Sequence, residues 1–195
     1  GRDGKCVFVE AKESDLISSN VGGTALQTRR LLDKALGGVL FIDEAYTLDK
    51  KGNVNFGIEA INTILAFMED YRDEIMIIFA GYTKEMDQFL KSNPGLKSRV
   101  PNTFDFEDYS PDEIVQIGNK YLESKSYVLE DQSYYNNYVK NAYKASLDKS
   151  NARWIRNTNE SILKALASRV IENDDDDVTT IKNIDIDGVK DIGRY

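Results

Sequence analysis

The chain alternates between two textures, short blocks of consecutive apolar residues and longer stretches where apolar residues recur every three or four positions. Cys6-Val-Phe-Val-Glu-Ala11, Val39-Leu-Phe-Ile42 and Ile75-Met-Ile-Ile-Phe-Ala80 are short runs with no polar alternation, the pattern of strands buried on both faces. Between them, Leu31, Leu32, Ala35 and Leu36 mark one helix over Ala25 to Leu36, with Thr24 as its expected cap. Ile58, Ile61, Leu65 and Met68 mark another. Gly22-Gly23 precedes the first of these helices as a turn, and Gly37-Gly38 stops it. Asp49 to Asn53 is a polar loop. Thr83 to Ser92 reads as a short helix capped by Thr83 and broken by Asn93-Pro94-Gly95, and Thr103-Phe-Asp-Phe106 as a fourth strand.

After Asp108 the strands nearly vanish. Ser110-Pro-Asp-Glu113 is a capping box with proline in the first turn. Helical spacing then runs to Ile171, with breaks near Ser126–Leu129 and Asp148–Ser150. The last helix is the clearest, with Ile155, Ile162, Leu163, Leu166 and Val170 on one face. An acidic run at Asn173–Asp177 and a short strand and turn within Thr179–Val189 close the pattern. Strands alternating with helices, then helices alone, predict an α/β domain over residues 1–108 and a small helical domain over 109–195 with an acidic tail.

Composition narrows the chemistry. A net charge of −8, with Arg29-Arg30 as the only basic cluster, argues against nucleic acid as a partner. The absence of histidine removes Ser-His-Asp and Cys-His catalysis and argues against zinc. A single cysteine, Cys6, allows no intrachain disulfide. No window is apolar enough to span a bilayer. The strongest chemical signal is the apolar run that ends in Asp43-Glu44. Acids at the carboxyl end of a parallel strand reach the crevice where such sheets bind ligands. There one can hold Mg²⁺, through water, while the other polarises an attacking water. Taken alone, the same pattern also fits a buried strand that ends in a polar turn. Asp185-Ile-Asp187-Gly188 has some of the spacing of a calcium loop but not its closing Glu. The tyrosines at 134, 135, 138 and 143 read as helix packing.

The blocks Gly37-Gly-Val-Leu-Phe-Ile-Asp-Glu-Ala-Tyr46, Phe67-Met-Glu-Asp70, Ile77-Ile-Phe-Ala-Gly-Tyr82, Asn93-Pro-Gly-Leu-Lys-Ser-Arg99 and Asn151-Ala-Arg-Trp-Ile-Arg-Asn157 occur in this order. In that arrangement the chain resembles the AAA+ ATPases of the CbbX and stage V sporulation protein K group, from about Val7 to Ile171. That group includes red-type rubisco activase and relatives in type VII secretion. The resemblance implies an α/β P-loop core with a helical lid, binding ATP and Mg²⁺ in a ring, a homohexamer, that remodels a client protein. It assigns Asp43 and Glu44 to the Walker B pair and the end of the third strand, Gly81-Tyr82-Thr83, to the sensor-1 region, with Tyr82 the favoured side chain among the three. Arg99 becomes the arginine finger that completes a neighbour's site, and Arg153 the sensor-2 arginine of the lid. The group implies a cytoplasmic location, or an organelle lumen such as the plastid stroma if a targeting segment lies upstream.

Two departures stand out. No Gly-x-x-x-x-Gly-Lys-Ser/Thr loop is present. Gly1-Arg-Asp-Gly-Lys-Cys6 runs into a strand, whereas a phosphate loop must open a helix. The resemblance therefore places the first strand, that loop and the first helix upstream of Gly1. It also predicts either marginal stability for the chain alone or a displaced fourth strand. In the segment that faces the central pore, Asn20-Val21-Gly22 stands where the group carries an aromatic residue first. The alternative is a non-catalytic AAA+ subunit that lacks the phosphate loop.

Overall fold

The computed structural model describes residues 7–49, 54–173 and 177–189. The expectations for Gly1–Cys6, for the loop at 50–53 and for the centre of the acidic run fall outside them. The chain divides into two units, Gly1–Asp105 and Phe106–Tyr195.

The first unit is built on a parallel sheet of three strands, β1 (Phe8–Ala11), β2 (Val39–Ile42) and β3 (Met76–Phe79), in that spatial order. β2 is central. Its register pairs Leu40 with Val9 on one side and with Ile77 on the other. Parallel neighbours need long crossovers, and helices supply them. α1 (Glu13–Leu16) and α2 (Thr24–Ala35) join β1 to β2. A 3₁₀ turn (Ala45–Asp49) and α3 (Val54–Asp70) join β2 to β3. α4 (Thr83–Ser92) and α5 (Pro94–Arg99) follow. The core packs Leu32 and Ala35 of α2, Leu40 and Ile42 of β2, Ile61, Ile64 and Phe67 of α3, and Phe89 and Leu96 beyond.

The periodicity located the three strands and α2, α3 and α4, while α1 and the 3₁₀ turn left no sequence signal, and several details differ. Thr24 lies inside α2, whose cap is Gly23, and the Thr24 hydroxyl accepts the Ser18 N–H instead. Thr83 is likewise inside α4, behind Tyr82. Asn93-Pro94-Gly95 starts a helix as well as ending one. The Asn93 side chain accepts the Gly95 N–H at 2.8 Å, and proline suits the first turn because it has no N–H to leave orphaned. Ile58 belongs to the apolar stripe of α3 yet is 42 % exposed.

The fourth strand is absent. Residues 101–110 carry neither helix nor strand, and Phe104 and Phe106 are 80 % and 96 % exposed. A four-residue run holds a strand conformation only when a neighbour takes its N–H and C=O groups. Thr103–Phe106 enters no ladder of either sheet. The exposed Met76 and Ile78 show β3 covered incompletely.

The second unit has its own core. α6 (Pro111–Ser124), α7 (Gln132–Ala145) and α8 (Ala152–Asn173) pack around Ile114, Leu122, Tyr135, Val139, Ile155, Ile162 and Leu166. Two short parallel strands, β4 (Val128–Leu129) and β5 (Thr180–Ile181), and a final helix, α9 (Asn183–Asp187), complete it. The terminal turn expected near Asp187 is this helix. The Ser110–Glu113 capping box forms as expected, and its backbone and hydroxyl hydrogen bonds hold the Glu113 carboxyl below its ordinary value.

Several polar groups buried in this unit are paired, although Ser150 Oγ and Asn183 Oδ1 are buried without a hydrogen-bond partner. The Tyr135 hydroxyl donates to Asn159 Oδ1 at 2.7 Å, and Asn159 Nδ2 donates to the Gly118 carbonyl. Arg169 Nε donates to Asp185 Oδ1 at 2.8 Å, with the two side chains 10 % and 1 % exposed, and Arg169 also reaches the Thr180 carbonyl. The second Asp185 oxygen accepts the Lys182 N–H, and Asp187 accepts the Tyr134 hydroxyl. These carboxylates of the calcium-like sequence are thus spent on structure. Removing one partner strands the other charge in a buried site, which costs far more than the pair contributes. Asp185→Ala is expected to lower unfolding stability by about 3–5 kcal/mol, read by denaturant titration, with Asp187→Ala costing much less.

Candidate functional site

Three site candidates of the first unit, Asp43, Glu44 and Tyr82, lie at the carboxyl end of the sheet. β2 makes its last bonds there. The Asp43 N–H donates to the Ala11 carbonyl and the Ala80 N–H to the Ile42 carbonyl, both at 2.9 Å. The strand then stops at once, because Glu44 turns to φ 48°, the left-handed region. For a residue with a Cβ this conformation costs roughly 1–2 kcal/mol. Local bonds offset it. The Glu44 N–H donates to Asp43 Oδ1 at 3.0 Å, the Ala45 N–H to the Ala80 carbonyl at 3.0 Å, and the Thr47 N–H to the Glu44 carbonyl at 2.8 Å. The result is a clamped turn. Ala45, Thr47 and Leu48 are buried beneath it, while the Glu44 side chain stays exposed.

Tyr46 completes the arrangement, and sequence reasoning missed it. Its hydroxyl donates to Glu44 Oε1 at 3.2 Å. Desolvation, and then that hydrogen bond, raise the Tyr46 phenol above its ordinary value, so it remains a proton donor throughout the neutral range. The Tyr46 ring also lies 6.4 Å from that of Tyr82, the residue that follows β3 and precedes α4. Tyr82 is 65 % exposed and joins the carboxylates only through Tyr46. Its side chain makes no direct hydrogen bond to Glu44 among the described residues. The only sequence signal for Tyr46 was an aromatic residue two positions after an acid.

Gly81 explains how the two rings meet. A Cβ there would lie 2.7 and 2.8 Å from the Tyr46 ring and 2.9 Å from Met86 Sδ, all closer than atoms pack. Only glycine lets the Tyr46 ring close over the end of β3.

The other candidates lie apart from this cluster. Arg99 is the last residue of α5. It forms an ion pair with Glu69, near the end of α3, at 3.2 Å, and is half-buried, while its Nε has no hydrogen-bond partner. Among the described residues its one ion pair is through a terminal nitrogen, and the unpaired Nε is buried. Asn20-Val21-Gly22 forms an exposed turn before α2, closed by the Gly23 N–H donating to the Asn20 carbonyl. Val21 is 92 % exposed and Gly22 has φ 77°.

Arg153 lies in the second unit, in the first turn of α8, and is exposed, as is Arg156 one turn on. A cation there opposes the helix dipole at a cost of about 0.3–1 kcal/mol. Neither arginine forms an ion pair with another described residue, so helix stability does not account for them.

For a metal, the described residues offer no group of three or more acidic, cysteine or histidine side chains. Asp43 and Glu44 are adjacent oxygen donors. That small set suits Mg²⁺, which takes one or two carboxylates and fills its remaining positions from water and phosphate. No helix among the described residues is long and apolar enough to cross a membrane.

Comparison with known proteins agrees with this architecture. Residues 3–108 match the ATPase family associated with various cellular activities (AAA), and residues 110–194 match the AAA lid domain. The chain is 40 % identical over 186 residues to stage V sporulation protein K of Bacillus subtilis (strain 168), covering 92 % of this chain and 58 % of that protein. It is 40 % identical over 187 residues to the plasmid CbxX protein of Cupriavidus necator, covering 92 % and 59 %. It is 39 % identical over 166 residues to the chloroplastic ribulose bisphosphate carboxylase/oxygenase activase of Cyanidioschyzon merolae, covering 84 % and 56 %. The chain thus spans less than two thirds of these relatives. Among solved structures, the FIGL-1 AAA domain matches with a TM-score of 0.68 at 17 % identity, over 95 % of this chain and 61 % of that one. At such identity the likeness speaks for the fold.

Gly81→Ala is expected to push the Tyr46 ring from its seat and to cost about 1–3 kcal/mol in thermal unfolding. Tyr46→Phe, which keeps the ring and removes only an exposed hydrogen bond, is expected to cost less.

Proposed function

Since the chain belongs to the AAA family of ATPases, with an AAA lid domain after its core, we propose that it is the hydrolytic part of an ATP-driven protein-remodelling subunit. The observation that carries this reading is the clamped turn after β2, where Glu44 is held at φ 48° with its carboxylate exposed beside the Tyr46 hydroxyl. Backbone strain at a residue whose side chain does nothing for the core is a reason to look for a function there. Relatives of this size and identity, a sporulation protein and a rubisco activase among them, support a remodelling role in general terms. Rubisco as the client is not part of the proposal.

In this reading Glu44 orients and polarises the attacking water, and Tyr46 holds the carboxylate in one rotamer. Tyr82, its ring tilted against that of Tyr46, borders the same space as sensor 1. Asp43 holds Mg²⁺ through water, and bound Mg²⁺ would supply charge neutralisation at the phosphates. Arg153 contacts nucleotide of its own subunit. Its place in the first turn of α8, against the helix dipole and without an ion pair, favours an anionic partner from elsewhere. Arg99 serves a neighbouring subunit in a homohexameric ring, where its guanidinium would meet charge that builds on the γ-phosphate. The exposed turn Asn20–Gly22 faces the central pore. Without an aromatic side chain it grips a client weakly, so the proposed work is a push or a short pull rather than sustained threading. The core and lid are assigned to residues 1–108 and 109–195. A soluble compartment, cytoplasm or plastid stroma, fits this reading.

The test is ATP binding and turnover by the full-length protein carrying Glu44→Gln. Turnover is expected to fall at least about 100-fold while ATP still binds, since a general base contributes that much or more and binding does not need it. Unchanged turnover would overturn the assignment of Glu44.

A further inference from the structure

The residue that opens α8 is bonded in an unusual way, and it stands two positions before Arg153. Asn151 has φ 57°, a conformation that asparagine tolerates better than most residues with a Cβ. Its carbonyl accepts the Ile155 N–H, the first turn of the helix. Its side chain reaches back more than forty residues to the segment that leads into α6. Asn151 Nδ2 donates to Asp108 Oδ1 at 2.7 Å, and Asn151 Oδ1 accepts the Tyr109 N–H at 2.9 Å. The same oxygen accepts the Tyr143 hydroxyl at 3.1 Å. Tyr143 in turn packs on Trp154, the next residue after Arg153, with ring centroids 5.0 Å apart.

These bonds use both ends of one carboxamide. A helix cap alone would need only an acceptor for the backbone N–H groups of its first turn. Here the amide instead joins the start of α8 to Asp108 and Tyr109, the segment between the end of the first unit's sequence and the Ser110 cap of α6. Ser150 and Asp148 brace the other side, with the Ser150 N–H donating to Asp148 Oδ1 at 2.8 Å. The first turn of α8, and with it the backbone of Arg153, is therefore held to the connecting segment rather than only to its own helix.

We propose that Asn151 is a positioning residue. It ties the first turn of α8 to Asp108–Tyr109, so that Arg153 meets nucleotide at a place set by the connecting segment. The inference rests on the reading of Arg153 as a nucleotide contact.

The test is a reciprocal exchange in the full-length protein. Asn151→Asp keeps the acceptor for Tyr109 and Tyr143 but sets two carboxylates face to face. Adding Asp108→Asn restores the bond with donor and acceptor reversed. Arg153→Ala is measured alongside, and thermal stability is followed throughout. The single Asn151→Asp change is expected to raise KM for ATP about five- to tenfold, a coupling of ordinary size, with a smaller effect on kcat. The exchange is expected to bring KM back to within about twofold of the original, as partners in one bond should. If the exchange restores thermal stability but not KM, Asn151 is only structural and the proposal fails. It fails equally if Asn151→Asp leaves KM unchanged while Arg153→Ala raises it. If Arg153→Ala itself leaves KM unchanged, the reading of Arg153 is wrong and the inference falls with it.

Discussion

The first unit depends on β2 being bonded on both sides. Its register to β1 and to β3 is fixed over all four residues, and the neighbouring bonds from Val39 to Val7 and from Ala80 to Ile42 extend that grip past each end. A strand held in this way cannot slip by one residue without turning every buried side chain outward. The place where it stops is therefore fixed by the same register. Asp43 and Glu44 follow directly on that register, and the left-handed turn at Glu44 is sustained by two bonds within the turn, Glu44 N–H to Asp43 Oδ1 and Thr47 N–H to the Glu44 carbonyl, and by one from Ala45 N–H to the Ala80 carbonyl just after β3. A catalytic carboxylate benefits from such a mount, since a small misplacement of a reacting group costs much of its effect.

Apolar runs and helical spacing made most of this fold legible, but the runs overstated the burial of the sheet, since Phe8 of β1 and Met76 and Ile78 of β3 are exposed. Thr103–Phe106 misled for a physical reason. An apolar, β-prone segment predicts a strand only if a partner exists, and sequence pattern does not report partners. The capping residues at Thr24 and Thr83 misled in a smaller way, since a hydroxyl near a helix start can bond elsewhere. In the site, Asp43 and Glu44 were visible from their position after an apolar run. Tyr46 and Asn151 were not, because their roles arise from contacts with Glu44, Asp108 and Tyr143 that spacing cannot show.

The second unit carries its specificity in polar pairs. Tyr135 with Asn159, Arg169 with Asp185, and Asn151 with Asp108 each join segments far apart in sequence. An apolar core of leucines and isoleucines would tolerate sliding of α7 against α8, whereas a buried hydroxyl left without its acceptor would not. Arg153 contributes nothing to this internal economy. Like Arg156, it is exposed near a helix end that disfavours a cation and forms no ion pair with another described residue.

The central claim is that ATP is hydrolysed between subunits, Glu44 acting in one and Arg99 arriving from the next. Mixing tests it most directly. Subunits carrying Arg99→Ala keep a working Glu44, and subunits carrying Glu44→Gln keep a working arginine. Each alone is expected to be nearly inactive, whereas a random one-to-one mixture is expected to recover about a quarter of the original turnover, since a heterologous ring interface pairs the two intact halves at that frequency. A mixture no more active than its components would contradict the account.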